Sequence, residues 1–195
     1  RLGLVLAAAL ALLVCPAVEL NLPGICGLGL TFSAGSLGRL LAVVAALLWA
    51  GTGAVSPPYF ASAEGCNRYY LFWLLTEGAL MGVFLAADLF TLFVFFEMMS
   101  FTSYVWVAQN ETPQALRAAE TYLAVAVIGG MTLLVGLLWL GHLLGSLEFA
   151  HLSELAASLA TEDRWQLYAA GACCLVGFGA KAGMFPLHIW LPKAH

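Results

Sequence analysis

The sequence predicts an all-α protein, a polytopic bundle of transmembrane helices. Hydrophobic residues make up 63% of the 195-residue chain and charged residues 9%, whereas ordinary soluble domains carry about 25% charged residues. The apolar residues form blocks that approach the roughly 20 residues needed to cross a bilayer as a helix. Because these blocks are continuous rather than alternating, they argue against a membrane β-barrel. The net charge of −4 is spread thinly and indicates no nucleic-acid partner.

Six apolar blocks define the predicted spans, at about residues 2–20, 37–55, 69–87, 89–108, 119–143 and 166–190. The first block has a charged start but no clear small-residue cleavage site, which favours a span over a signal peptide. The sequence begins without Met and stops at His195 just after a helix end, so we expect a fragment of a longer chain.

The distribution of basic residues predicts the topology. With six spans, successive loops lie on alternate sides of the membrane, and the basic residues divide between these two sides. One side holds Arg1, Arg68, Arg117 and Lys193, and the other holds Arg39 and Arg164. Since basic residues concentrate on the cytoplasmic side of membrane proteins, the first group is predicted to be cytoplasmic.

Local signals mark the ends of the predicted helices. Residues 21–24 (NLPG) indicate a turn, Ser36 is a candidate cap, and residues 56–58 (SPP) close the second span. Asp88 is interpreted chiefly as the cap of the fourth span, and Thr112-Pro113 as the start of the fifth. Residues 145–164 show the apolar spacing of a short amphipathic helix, and Gly129-Gly130 predicts close helix packing.

One lysine lies in the last apolar block. An ammonium at membrane depth costs roughly 2.5–3.5 kcal/mol, so Lys181 needs a reason to be there. Pro186 lacks an N–H and cannot bond the carbonyl of Ala182, and nearby glycines weaken the same turns. The predicted helix-breaking residues are Gly177, Gly179, Gly183 and Pro186. We therefore expect a discontinuous helix in which Lys181 lines a hydrated path. One alternative is a lysine that extends its ammonium to the headgroups. A second is that the glycines serve only as helix-packing contacts.

A second buried charge, Glu97, lies near the middle of the fourth span. Helical spacing places Ser100 and Tyr104 on its face, which forms a polar stripe in a helix otherwise filled with Phe and Met. Glu97 and Lys181 on separate helices suggest a pair that stores and releases a proton, because a carboxylate favours the charged lysine and desolvation favours the neutral one. A purely structural ion pair is the alternative.

Other polar residues are weaker candidates for the same path. Glu77 lies about 12 Å into the third span, at 1.5 Å per residue. It is either a protonated carboxyl hydrogen-bonded to Thr76 or a neighbouring helix, or a participant in ion movement. Tyr104 and His188 are the remaining candidates.

No cofactor or metal is predicted for this chain. It has no CxxC, haem-attachment or dinucleotide-binding pattern, and His142 and His151 lack ligand spacing. The five cysteines are interpreted as small apolar residues: Cys15, Cys26, Cys66, Cys173 and Cys174. Redox chemistry on this polypeptide is therefore not expected.

Three segments resemble a known family: residues 85–90 (LAADLF), 95–104 (FFEMMSFTSY) and 177–195, above all 181–192 (KAGMFPLHIWLP). They are similar to the antiporter-like membrane subunits shared by respiratory complex I (NADH:quinone oxidoreductase), Mrp-type cation/proton antiporters and membrane-bound hydrogenases of the formate-hydrogenlyase type. The resemblance covers roughly residues 37–195 and departs from the family at Lys193, where members usually have Asp.

The resemblance implies a fold and a function. In this family, inverted five-helix repeats each carry a broken helix, and by motif Glu97 and Lys181 take the places of the family's glutamate and lysine. Residues 1–36 would hold the first span and a Pro/Gly loop, and residues 37–195 the truncated N-terminal part of the antiporter-like domain. The implied function is proton translocation coupled to redox-driven conformational or electrostatic change elsewhere in a complex.

The resemblance also implies the setting of the chain. It would be a multi-pass protein of the cytoplasmic membrane, with other membrane subunits, lipid, and protons or Na⁺ as partners, and a subunit of a proton-pumping oxidoreductase of the quinone or hydrogenase type. Two alternatives stay open: a subunit of a Na⁺/H⁺ antiporter without redox input, and a non-conducting scaffold subunit of a membrane hydrogenase.

Overall fold

The computed structural model describes residues 19–59 and 65–194. Its helices are α1 Ser36–Tyr59, α2 Cys66–Leu85, α3 Leu89–Val107, α4 Pro113–Leu144, α5 Phe149–Ser158, α6 Arg164–Ala182 and the short α7 Leu191–Ala194. Single 3₁₀ turns lie at Ile25–Gly27 and Leu187–Trp190. The predicted helical membrane bundle is confirmed, with one small addition of β-structure.

That addition is a two-stranded antiparallel hairpin. β1 (Glu19–Leu22) pairs with β2 (Leu30–Ser33), with Leu20 opposite Phe32. The hairpin is attached to the turn between α2 and α3, where the N–H of Ala87 donates to the carbonyl of Thr31 at 2.9 Å. The predicted first span lies outside the described residues up to residue 18, and its last two residues belong to β1 instead.

Four helical segments of the described ranges are long and apolar enough to cross a membrane: Ser36–Pro58, Leu89–Val107, Pro113–Leu144 and Arg164–Lys193. They correspond to the predicted second, fourth, fifth and sixth spans. The predicted third span is a helix, Cys66–Leu85, which is not among these four and packs extensively against α3. The predicted amphipathic helix is α5.

The predicted helix starts at Asp88 and Thr112 are confirmed. Asp88 precedes α3 and its Oδ1 accepts the N–H of Thr91 at 2.7 Å, while its Oδ2 accepts the Thr91 hydroxyl at 2.6 Å. Thr112 precedes α4 and its Oγ1 accepts the N–H of Ala115 at 3.1 Å. Ser36, in contrast, is the first residue of α1 rather than a residue before it.

The most extensive helix contact joins α4 to α6, and glycines make it possible. A Cβ atom on Gly177 would lie 2.5 Å from the Cβ of Leu133 and 2.8 Å from the carbonyl oxygen of Gly129. A Cβ on Gly129 would lie 2.5 Å from the Cβ of Ala180. Because carbon atoms pack at about 3.5–4.0 Å, only glycine permits this approach. The contact fixes the depth and rotation of Lys181, which lies on α6 beside it.

Candidate functional site

The helix break next to Lys181 is confirmed at Gly183, whereas Gly177 and Gly179, also predicted to break the helix, lie inside α6. α6 ends at Ala182, and Gly183 follows with φ of 71°, a left-handed conformation that glycine adopts without a side-chain clash. Helical structure resumes at Leu187 as a 3₁₀ turn. The break therefore lies three residues before Pro186, because the chain leaves the helix at the first glycine beyond the lysine.

The break leaves main-chain carbonyls that need partners. The N–H groups of Gly183 and Met184 both reach the carbonyl of Gly179, the latter at 2.8 Å. The indole Nε1 of Trp190 donates to the carbonyl of Ala180 at 2.8 Å. The segment after the break thus folds back on α6 and satisfies part of its open end, as non-helical backbone at membrane depth requires.

Lys181 points into the bundle rather than out to the headgroups. Its Nζ donates to the hydroxyl of Ser100 at 2.6 Å and to the hydroxyl of Tyr122 at 2.7 Å. The ammonium also lies 5.7 Å from the ring centre of Phe96 and 5.2 Å from that of Tyr122, within the range of cation–π attraction. Ser100 lies near the middle of α3, so residues from α3 and α4 hold the ammonium level with the middle of that helix.

Tyr122 is the residue in contact with Lys181 that the sequence interpretation missed. It is only 4% exposed, and its hydroxyl lies 2.6 Å from the hydroxyl of Ser103 as well as near Lys181. A signal was present, since Tyr122 interrupts a stripe of small residues on α4 at Ala118, Ala126 and Gly129. A tyrosine among residues that allow close helix packing is directed toward the neighbouring helices.

Glu97 lies close to this network but does not form a direct ion pair with Lys181. Its carboxyl group packs against Gly130 of α4, where a Cβ atom would lie 2.6 Å from the carboxyl carbon and from both oxygens. The Oε1 of Glu97 is buried and has no hydrogen-bond partner among the described residues. Glu97 and Ser100 are one helical turn apart on the same face of α3, and Ser100 accepts a hydrogen bond from Lys181. The carboxylate and the ammonium are therefore neighbours on that face of the helix.

The weaker candidates lie apart from Lys181. Glu77 is buried at 5% exposure on α2, and its Oε1 has no hydrogen-bond partner in the described part of the chain. Thr76 donates to Phe72 and Thr102 rather than to Glu77. Tyr104 is half-buried and His188 is exposed and stacked on Phe185 at 5.6 Å, and neither is among the hydrogen-bond partners of Lys181.

A cavity of about 640 Å³ opens at the end of the bundle where α4 begins. Polar and basic residues line most of it: Asn110, Thr112, Gln114, Arg117, Thr121 and Lys193. Ala118 of α4 lies at its wall, one helical turn before Tyr122. The cavity therefore approaches the hydrogen-bonded network around Lys181 from the side that the basic residues predict to be cytoplasmic.

Comparison with known proteins identifies the same family. The family model described as NADH:quinone oxidoreductase/Mrp antiporter, TM, matches residues 86–195. The chain is 33% identical over 127 residues to a subunit of the Na⁺/H⁺ antiporter of Alkalihalophilus pseudofirmus, covering 65% of this chain and 25% of that protein. It is 32% identical over 174 residues to hydrogenase-4 component B of Escherichia coli, covering 85% of this chain and 24% of that protein.

Solved structures agree with this assignment. A chain of respiratory complex I from Thermus thermophilus superposes with a TM-score of 0.80 at 27% identity, covering 100% of this chain and 41% of that one. A chain of the Mrp complex from Dietzia sp. shares the fold, with a TM-score of 0.78 at 23% identity, covering 99% of this chain and 22% of that one. The sequence thus spans about a quarter of the two curated relatives described above. It belongs to the family of antiporter-like transmembrane subunits shared by NADH:quinone oxidoreductases and Mrp antiporters.

Proposed function

We propose that this chain is the N-terminal part of a proton-translocating subunit of the cytoplasmic membrane, and that protons move along a path through Glu97 and Lys181. The observation that carries the proposal is the setting of Lys181. Its ammonium lies inside the bundle at a helix break, and its hydrogen-bond partners are the two hydroxyl groups of Ser100 and Tyr122.

Hydroxyl partners suit a lysine that must exchange its proton. An ammonium donates to hydroxyl oxygens, and a neutral amine accepts from the same hydroxyl groups after they rotate, so both protonation states have partners. A direct carboxylate partner would instead favour the charged form alone. Lys181 contacts Ser100 and Tyr122 rather than Glu97. This arrangement therefore supports proton exchange at Lys181 rather than a fixed structural ion pair.

Glu97 supplies the second part of the proposed path. Its carboxyl group lies one turn from Ser100, and its buried Oε1 has no hydrogen-bond partner among the described residues, which leaves this oxygen available to a proton or a water molecule. Buried ionisable groups of this kind mark proton or ion pathways in membrane proteins. A change in the charge of Glu97 alters the energy of the nearby ammonium, since charges interact strongly where water is excluded.

The partners follow from the relatives, which are named as antiporter or hydrogenase components. We infer that the chain works within a multi-subunit membrane assembly, where other chains supply the driving reaction. Cation exchange without redox input is the second candidate, because relatives are named as subunits of Na⁺/H⁺ and K⁺/H⁺ antiporters.

The test uses the full-length parent protein, assembled with its complex in liposomes, and follows proton uptake with a pH-sensitive dye. Lys181→Met keeps similar volume and removes the charge, and we expect it to reduce uptake at least tenfold with the assembly intact. Arg164→Gln is the matched control, because it removes a cation from the exposed start of the same helix. Normal uptake by Lys181→Met would make the lysine structural and favour a scaffold.

A second arm separates the two driving forces. The same liposomes receive an imposed Na⁺ or K⁺ gradient with no redox substrate. Proton movement that needs only the gradient, and is lost in Lys181→Met, would assign the chain to cation exchange. Movement that requires a redox substrate would assign it to a redox-driven pump.

A further inference from the structure

We propose that Tyr122 is the relay residue through which Lys181 exchanges protons with the cavity at the start of α4. This inference rests on the proposed function and adds a residue that the sequence analysis did not select. It follows from three observations: the contacts of the Tyr122 hydroxyl, the position of the cavity, and the contacts of the other hydroxyl partner of Lys181.

The Tyr122 hydroxyl joins two proton-carrying groups. It lies 2.7 Å from Nζ of Lys181, short enough for direct transfer along a hydrogen bond, and 2.6 Å from Oγ of Ser103, whose own hydroxyl donates to the main-chain carbonyl of Met99 at 2.6 Å. The ring is held by an edge-to-face contact with Trp190, with ring centres 5.0 Å apart. Since Tyr122 is 4% exposed, the phenol is fixed in place while its hydroxyl hydrogen remains free to rotate.

Ser100, the other partner of Lys181, offers no separate route to the cavity. Its hydroxyl accepts from Lys181 and donates to the main-chain carbonyl of Phe96 at 3.1 Å, which lies in the same helix. An amide carbonyl does not pass a proton onward. Tyr122 is thus the hydroxyl partner of Lys181 that lies on α4, the helix that also lines the cavity.

The cavity brings water close to Tyr122. It has a volume of about 640 Å³ and is partly open to its surroundings, so it is large enough to admit water. Its wall includes Ala118 and Thr121, which are one turn before Tyr122 and directly before it in the chain. One helical turn is about 5.4 Å along the axis, and a water molecule that enters from the cavity is the proposed link between its wall and the Tyr122 hydroxyl.

The proposed step balances without any oxidant or reductant. An N–H bond of Lys181 breaks and a new O–H bond forms on Tyr122, while the original O–H bond of Tyr122 breaks and its proton passes to a water molecule of the cavity. Lysine becomes a neutral amine, tyrosine is unchanged, and one positive charge moves toward the cavity. Rotation of the hydroxyl resets the relay.

The charge of the cavity suits a proton relay better than a path for metal cations. Arg117 and Lys193 both line it, and neither forms an ion pair in the described part of the chain. Fixed positive side chains raise the electrostatic barrier to a hydrated Na⁺ or K⁺ ion. A proton that moves along hydroxyl groups and bound water does not require a hydrated metal ion to pass these side chains.

The primary test is Tyr122→Phe in the full-length parent, assembled and assayed in liposomes as above. The ring and its contact with Trp190 are kept and only the relay oxygen is lost. We expect proton uptake to fall at least tenfold. Tyr70→Phe is the matched control. Tyr70 is also buried, and its hydroxyl lies 2.9 Å from that of Ser56 and does not contact Lys181. Proton uptake by the Tyr70→Phe protein should stay within twofold of wild type.

A second substitution tests the chemistry rather than the packing. Replacing Tyr122 with a difluorotyrosine preserves size and hydrogen bonds but makes the phenol more acidic. We expect the pH profile of uptake to shift toward lower pH, and the same residue at position 70 to leave the profile unchanged. An unshifted profile at position 122 would indicate a structural role and overturn the relay.

The results separate this inference from the proposed function. Wild-type uptake by Tyr122→Phe together with lost uptake by Lys181→Met would refute the relay and leave the function standing. Wild-type uptake by both variants would refute the proposed function itself. Slow uptake by Tyr122→Phe with normal uptake by Tyr70→Phe is the outcome that the relay predicts.

Discussion

Gly177→Ala tests whether the close approach of α4 and α6 sets the geometry of the lysine site. The added Cβ would lie 2.5 Å from the Cβ and 3.0 Å from the Cα of Leu133, and 2.8 Å from the carbonyl oxygen of Gly129. Normal carbon contacts are about 3.5–4.0 Å, so the helices must separate by about 1 Å. Two of these neighbours are backbone atoms, which cannot move aside as a side-chain end would.

Gly177→Ala is expected to lower both the stability of the protein and its proton uptake. Overpacking of this kind destabilises by about 1–3 kcal/mol, and the better helix propensity of alanine returns about 1 kcal/mol. We expect a net loss of up to about 2 kcal/mol. A separation of about 1 Å also lengthens the 2.6 and 2.7 Å contacts of Lys181 beyond hydrogen-bonding distance. Proton uptake should therefore fall at least tenfold.

The assay compares thermal unfolding of the purified full-length parent in detergent with proton uptake in liposomes. Gly171→Ala is the matched control on the same helix, because a Cβ there meets nothing within 4 Å. It should be neutral or slightly stabilising, with normal uptake. If Gly177→Ala matched Gly171→Ala in both measurements, the close helix contact would not determine the position of Lys181.

Three further substitutions test single contacts in the same parent protein. Asp88→Ala removes the cap of α3 and leaves the N–H and the hydroxyl hydrogen of the buried Thr91 without their acceptors, so thermal unfolding should show a loss of about 1–3 kcal/mol; an unchanged melting temperature would contradict this. Gly130→Ala places a Cβ 2.6 Å from the Glu97 carboxyl group; uptake should fall as far as in Glu97→Gln, and wild-type uptake would show that the carboxyl position is unimportant. Trp190→Phe loses the 2.8 Å bond to the open end of α6; trypsin or hydrogen exchange should show faster opening of the helix break, and unchanged protection would refute the capping role.

Local features of the fold were predictable because their causes are local. The spans follow from apolar length, the starts of α3 and α4 from Asp88 and Thr112, and the break in α6 from glycines and a proline near Lys181. Each depends on residues within a few positions of one another. The hairpin lacked such a signal: all four residues of β1 are exposed, and β2 is attached to the turn before α3.

The sequence by itself determined that a lysine and a glutamate are placed within a helical membrane bundle, and that the lysine lies at a broken helix. Only the tertiary structure decided which groups touch that lysine. Ser100 and Tyr122 are 81 and 59 residues away from it in the chain, and the glycine contact between α4 and α6 sets the rotation that brings them together. Helix rotation depends on the small residues of two helices at once, and periodicity within one helix does not contain that information. For the same reason the carboxyl group of Glu97 lies against Gly130 and not in a direct ion pair with Lys181.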